Sequence, residues 1–235
     1  MRIRLSFCAF LCAILACTLA PGTRAEGAFL IEIDTDGADD GPITYNPNFS
    51  FGGDTTTAST SILSTAVGLS GADSIFGGDG VNEPDTYEYS YTLGVDADNL
   101  ALAAGTDLGD GNVATGITGG KTGVYNVYAT WPFTTNVSGG LVTFTLTGGG
   151  GTLFSTQIDQ NNQGNAWVLL GSASLQSGVS YTLSQVAGSN TFVSMRAAGV
   201  LFEAVSVIPE PSSLALVLVG GVGISVFCRR ARRSS

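Results

Sequence analysis

Histidine does not occur in the 235 residues, and the four cysteines lie at positions 8, 12, 17 and 228. Between Gly27 and Ile208 there is thus neither imidazole nor thiol. That excludes Ser-His-Asp and Cys-His catalysis, histidine-ligated zinc and disulfide cross-links within this stretch. Positive charge is almost as scarce: Lys121 and Arg196 stand against 17 acidic residues there, a formal charge of −15. Such a surface repels nucleic acid and anionic bilayers, and leaves divalent cations and neutral ligands as partners. Two-carboxylate glycoside hydrolysis stays open through Glu32, Glu83, Glu88 and Glu203. No pair stands out among so many acids, so the chain reads as a non-enzyme.

Sustained helical periodicity is missing too. Only "SILSTAVGL" (61–69) fits a short helix, and it reads almost as well as a strand. What is present instead is alternation. "TYEYSYTL" (86–93) puts Tyr87, Tyr89, Tyr91 and Leu93 on one face. "GVYNVYATW" (123–131) does the same with Tyr125, Val127, Ala129 and Trp131, and "LVTFTLT" (141–147) with Val142, Phe144 and Leu146. Further short runs follow, "TLFSTQID", "AWVLLGS", "SYTLSQV", "TFVSM" and "GVLFEAV", separated by Gly, Asn and Ser. Short β-rich runs between turn signals predict an all-β sandwich, and the 33 glycines suit its turns. Residues 26–118 are read as its acidic, Gly-rich first part and 119–207 as its second. "FGGD" occurs at 51–54 and 76–79, which predicts two similar Gly-Gly turns rather than a repeat array.

The two ends differ from the middle. Residues 1–25 have a basic "MRIR", the apolar run "LSFCAFLCAILACTLA" and "PGTRA" with small residues at Thr23 and Ala25, the plan of a secretory signal peptide cleaved after Ala25. At the other end, 212–228 is uncharged and mainly apolar. As a helix it would reach about 25 Å, close to the roughly 30 Å hydrocarbon core, with the arginines held in the cytoplasm. Pro209-Glu210-Pro211 precedes it and Arg229, Arg230, Arg232 and Arg233 follow it. Prolines keep the site before the apolar run extended and open to a protease. With these three parts in order, 208–235 resembles a PEP-CTERM sorting signal. The resemblance implies recognition by an exosortase, a precursor held in the inner membrane, and release to the cell surface or extracellular matrix of a Gram-negative-type bacterium that makes exopolysaccharide.

Three motifs between the ends invite chemistry. "DTDGADDG" (34–41) gathers Asp34, Asp36, Asp39 and Asp40 in a turn of the kind that suits structural Ca²⁺, although the EF-hand pattern fails at Ala38 and Tyr45. "DADN" (96–99) and "DLGDGN" (107–112) are weaker candidates of the same sort. The competing reading of all three is a solvated turn whose Asp and Asn side chains bond their own backbone. "TGITGGKT" (115–122) lacks the first glycine of a phosphate-binding loop and is rejected as one. The aromatic candidates for sugar contact are Trp131, Trp167 and Tyr125, with Tyr87, Tyr89 and Tyr91 beside them. Core packing is the better reading of both tryptophans, since each lies in a strong β run.

"GVYNVYATWPF" together with "IDQNNQGNAWVLLGSASLQSGVSYTL" resembles the golvesin/xanthan-lyase carbohydrate-binding-like domain over 119–207. Tyr125, Val127, Tyr128, Trp131, Asp159, Gln160, Trp167, Leu170, Gly171 and Gly178 carry the match; the Asp of the family's last strand is missing from "MRAAGVLFEAV". The resemblance implies a β-sandwich associated with extracellular polysaccharide. The expectation is an exported, exosortase-sorted carbohydrate-binding module. The alternatives are a structural matrix or adhesion protein without a sugar site and, third, a carboxylate-dependent glycan-active enzyme.

Overall fold

A computed structural model describes residues 27–37, 43–54, 57–59 (backbone only), 63–71, 73–78, 83–135, 141–187 and 195–208. The expected signal peptide, the apolar segment 212–228 and the sorting residues Pro209 to Arg233 lie outside the described residues. Among the described residues there is no helix. The described residues form, in chain order, the strands β1 (Phe29–Glu32), β2 (Phe49–Gly52), β3 (Thr57–Ser59), β4 (Ser74–Gly77), β5 (Thr86–Thr92), β6 (Asp107–Gly109), β7 (Asn112–Val113), β8 (Gly123–Thr130), β9 (Val142–Gly148), β10 (Gly151–Ile158), β11 (Val168–Leu175), β12 (Ser180–Val186), β13 (Met195–Ala197) and β14 (Gly199–Val207).

They form a sandwich-like pair of sheets with two small additions. One sheet has the order β1-β14-β8-β11, the other β10-β9-β12-β5-β2. A three-stranded piece β13-β4-β3 and the hairpin β6-β7 complete the set. Both large sheets mix early and late strands, since β1 pairs with β14 and β5 with β12, all antiparallel.

The five-stranded sheet follows the alternation in its sequence. Tyr87, Tyr89 and Tyr91 on β5 and Val142, Phe144 and Leu146 on β9 are buried, while Glu88, Ser90 and Thr147 are exposed. One face meets the core and the other meets water. In the four-stranded sheet β1 and most of β14 do not alternate, because both faces are covered there, whereas the edge strand β11 keeps one exposed face. Phe29, Ile31, Val127 and Phe202 point into the main core. Leu30, Tyr128 and Leu201 point the other way, into a second cluster with Leu102, Leu108, Ala114 and Trp167. Aromatic contacts join the two sheets. Phe29 of β1 stacks on Tyr91 of β5 at 4.4 Å, Tyr91 meets Phe202 at 4.9 Å, and Trp131 stacks near Phe144 at 6.3 Å.

Two local expectations meet specific outcomes. The described part of 61–69 is neither helix nor strand, because Ser64 Oγ takes the Ala66 N–H (3.3 Å) and shares a bond with Thr130 Oγ1 (2.6 Å). Bonding of this kind to nearby backbone competes with a helix ladder. The two "FGG" turns are related through space: both close on the buried Asp85. A Cβ at Gly53 (φ 101°) or at Gly77 would collide with the Asp85 carboxylate, which also accepts the Gly78 N–H at 3.0 Å. Glycine is required where the two turns close around one carboxylate.

Candidate functional site

The aromatic residues singled out in the sequence are interior. Trp131 and Trp167 are fully buried, and they belong to different clusters on opposite faces of the four-stranded sheet. Each indole donates to a backbone carbonyl, Trp131 to Gln160 (3.3 Å) and Trp167 to Val67 (2.9 Å). No face of either ring is open, so core packing is the reading these positions fit. Tyr125 is likewise buried; its hydroxyl donates to the Lys121 carbonyl at 2.7 Å and accepts the Lys121 N–H. That bond staples the preceding loop to β8. Burial raises the Tyr125 phenol to about 12, against the bond to Lys121, which lowers it. Tyr87, Tyr89 and Tyr91 face the same core.

The matched Gln160 also turns out to be an anchor. It is fully buried, its amide donates to the Arg196 carbonyl at 2.8 Å, and its Oε1 accepts the Arg196 N–H at 2.8 Å. Gln185 donates to the same carbonyl at 2.9 Å. The conspicuous Asp-Gln turn is thus a structural clasp between the 159–161 turn and β13.

Of the candidate calcium ligands, Asp39 and Asp40 lie outside the described residues. Asp34 is buried and accepts the Asp73 N–H (3.2 Å) and the Asp36 N–H (3.4 Å), while the exposed Asp36 accepts the Thr44 hydroxyl. Among the described residues no group of three or more acidic, Cys or His side chains is placed to hold a metal. In the weaker candidates, Asp107 accepts the N–H of Gly109 (2.8 Å) and Asp96 that of Thr92 (2.6 Å), the turn bonding of the competing reading. Asn99 bonds both backbone groups of Leu30.

The carboxylates left open for glycan hydrolysis separate into two kinds. Glu32 and Glu203 are buried acceptors: Glu32 takes Ser70 N–H, Ser70 Oγ–H and Gly71 N–H, and Glu203 takes Thr115 N–H and the Tyr128 hydroxyl. Glu83 and Glu88 are exposed.

A cleft of about 260 Å³ lies between the 94–98 and 118–120 loops, with Asp96 and Asp98 in its wall. Behind it the Tyr91 phenol is pushed well up by burial, then by Tyr125, Asp98 and Asp96.

Open rings are elsewhere: Phe133, after β8, is 51% exposed, and a patch of neighbouring rings forms at β2. Tyr45 and Phe51 are 39% and 44% exposed, and both rest on Phe49, at 5.9 Å and 6.2 Å. Tyr45 and Phe51 lie 5.2 Å apart. Phe49 itself is buried against Tyr89 (5.1 Å) and Tyr87 (6.0 Å), which ties the patch to the core. Partial burial raises the Tyr45 phenol. β2 is the outermost strand of its sheet, which is why these rings stay uncovered. In "YNPNFSF" the spacing of Phe49 and Phe51 is a strand signal; nothing in it shows that the strand lies at an edge.

Comparison with known proteins gives a sequence match at the C-terminal end and structural likenesses over the sandwich. No curated relative matches the sequence. Among solved structures the chain is similar to a Paenibacillus xanthan lyase, at 18% identity over 77% of this chain and a TM-score of 0.49. The chain spans only 13% of that lyase. It is also similar to a Clostridium thermocellum endo-1,4-β-D-xylanase structure (12% identity, 80% of this chain, 30% of that one, TM-score 0.34). A third is a carbohydrate-binding module in complex with β-1,4-galactotriose (14% identity, 67% of this chain, 85% of that one, TM-score 0.31). A family model matches the segment that begins at the end of β14. Residues 207–233 are a PEP-CTERM protein-sorting motif, the mark of an exported protein with a C-terminal membrane-anchor sorting signal.

Proposed function

We propose that the protein is a non-enzymatic β-sandwich module, processed by an exosortase and working at the cell surface in association with extracellular polysaccharide. The observation that carries this reading is the junction between sandwich and signal. The motif begins at Val207, still paired with Gly123, and the Ile208 N–H still bonds the Thr122 carbonyl at 2.8 Å. The fold therefore reaches its sorting signal without a linker. Sorting holds the sandwich by the end that carries Gly123 and Leu175. The absence of His and Cys between 27 and 208, and the use of Glu32 and Glu203 as structural acceptors, support binding rather than catalysis. The resemblance of residues 119–207 to a carbohydrate-binding-like domain supports the polysaccharide partner.

The test has two arms. Pro209→Ala with Pro211→Ala, or deletion of 229–233, is expected to leave an unprocessed precursor in the inner membrane, read by fractionation. Surface release equal to wild type would refute the sorting half. In the second arm the wild-type protein is expected to be retained by exopolysaccharide from the producing cells. Absence of retention would leave a structural matrix component without a sugar site.

A further inference from the structure

The ring patch on β2 has three properties that together select a ligand. First, it is rigid. Phe49 is packed against Tyr87 and Tyr89, and Tyr45 is fixed by a bridge to Asp34 and by the Asn46 N–H bonded to the Ile33 carbonyl at 3.1 Å. Rings held this way lose little freedom when something lies on them. Second, the apolar faces are rimmed by oxygen. Asp36 and the Thr44 hydroxyl are bonded to each other, and Thr44 directly precedes Tyr45. Apolar face plus hydroxyl and carboxylate rim suits a sugar ring, whose C–H face packs on an aromatic ring while its hydroxyls take hydrogen bonds. Third, the charge selects against polyanions. Of the two cations between 27 and 208, Arg196 sits over the Phe76 ring at 6.0 Å and Lys121 lies beside the sorting junction. A uronic-acid or sulfated glycan would meet a domain of formal charge −15. The same repulsion acts against a second copy of the chain or an anionic bilayer on this patch.

The patch also points away from the tether. The junction end of the sandwich includes Leu175 and, one short turn later, Ser180, which pairs with Thr92 of β5. Phe51 pairs with Tyr87, five residues further along β5, roughly 17 Å at the rise of an antiparallel strand.

We infer that Tyr45 and Phe51, seated on Phe49, are the platform on which an uncharged polysaccharide chain stacks, at the end of the sandwich that faces away from the sorting tail. This rests on the polysaccharide reading above and names its site and ligand class.

The test is affinity electrophoresis of the full-length, detergent-solubilised protein through gels containing a neutral glucan, galactan or mannan, with anionic alginate alongside. Wild type is expected to be retarded by at least one neutral polymer and not by alginate. Phe51→Ala and Tyr45→Ala should each weaken retardation about tenfold, the scale of one lost aromatic stacking contact. Tyr45→Phe keeps the ring and should keep retardation; Phe51→Leu keeps apolar area without the ring face and should lose it. Because both residues are well exposed, melting should match wild type in all four variants. Wild-type retardation unchanged in Phe51→Ala and Tyr45→Ala would overturn the platform and leave the polysaccharide reading standing. Absence of retardation by every polymer, with no retention on the producing cells' exopolysaccharide, would overturn both. Retardation by alginate alone, or sedimentation showing a dimer that Phe51→Ala dissociates, would overturn the ligand class.

Discussion

The two large sheets are built from similar short β runs but live in different surroundings. The five-stranded sheet has one buried face and one wet face, so "TYEYSYT" alternates cleanly. The four-stranded sheet is packed on both sides over β1 and β14, and "GVLFEAVSV" is buried over its first six residues. An antiparallel sheet buried on both faces takes on the continuous apolar run more familiar from parallel sheets. The difference also decides where function can reside. Rings on the doubly covered sheet, Trp131, Trp167, Tyr125 and Tyr128, are locked inside, whereas the five-stranded sheet ends in an edge where Tyr45 and Phe51 stay open.

The strongest way to break this contrast is at the seam. Trp131→Ala removes a fully buried ring that stacks near Phe144 between the sheets, and is expected to cost about 3–5 kcal/mol. That is a large share of a typical domain's roughly 5–15 kcal/mol, so the variant should melt far below wild type or accumulate poorly. A variant that melts like wild type would place Trp131 outside the core. Next comes the clasp that closes the end of the sandwich: Gln160→Ala strips partners from the Arg196 N–H and weakens those of its carbonyl. A loss of about 1–3 kcal/mol in urea unfolding is expected, the range for a buried donor left unsatisfied. No loss would mean that the clasp contributes nothing to stability.

Alkaline pH sharpens the comparison on the doubly covered sheet. Tyr125 and Tyr128, both on β8, are pushed up to about 12, in each case first by burial. An unfolded phenol ionises near pH 10, so between about pH 10 and 12 the unfolded chain loses protons that the folded chain keeps. The stabilisation is complete below about pH 10 and falls as pH rises through that window. Melting temperature should drop there, and Tyr128→Phe should flatten the slope. An unchanged melting temperature at pH 11.5 would contradict the buried placement. The smallest effect is expected on the wet face of the five-stranded sheet. Thr145→Val removes an exposed hydroxyl pair with Ser155 (2.9 Å) and should change stability by about 0.5 kcal/mol or less in either direction.

Much of this fold was legible because strand periodicity is a local record of burial. The alternating runs at 86–93, 123–131 and 141–147 correspond to β5, β8 and β9, shifted by a residue or so at the ends. The segment 61–69 misled, because a serine bonding both its own backbone and Thr130 gives no periodic signature. The tryptophans fit the core reading that their β runs favoured, although the runs alone left a ligand-facing alternative open. A tryptophan in a β run looks the same whether it faces a core or a ligand. Tyr45 and Phe51 went unnoticed because an edge strand is defined by a missing neighbour, which no local pattern encodes.

By itself the sequence determined what is contiguous or wholly absent. The sorting motif is one unbroken stretch, and a segment without His or Cys lacks their chemistry in any fold. Only the tertiary structure decided which rings are open, which acids are structural and which glycines are obligatory. Those outcomes depend on partners far along the chain: Trp167 on Val67, Glu203 on Thr115, Gly53 and Gly77 on a shared Asp85. Local periodicity says that a side chain has an inward face; which residue waits there, or whether any does, is settled by long-range strand pairing.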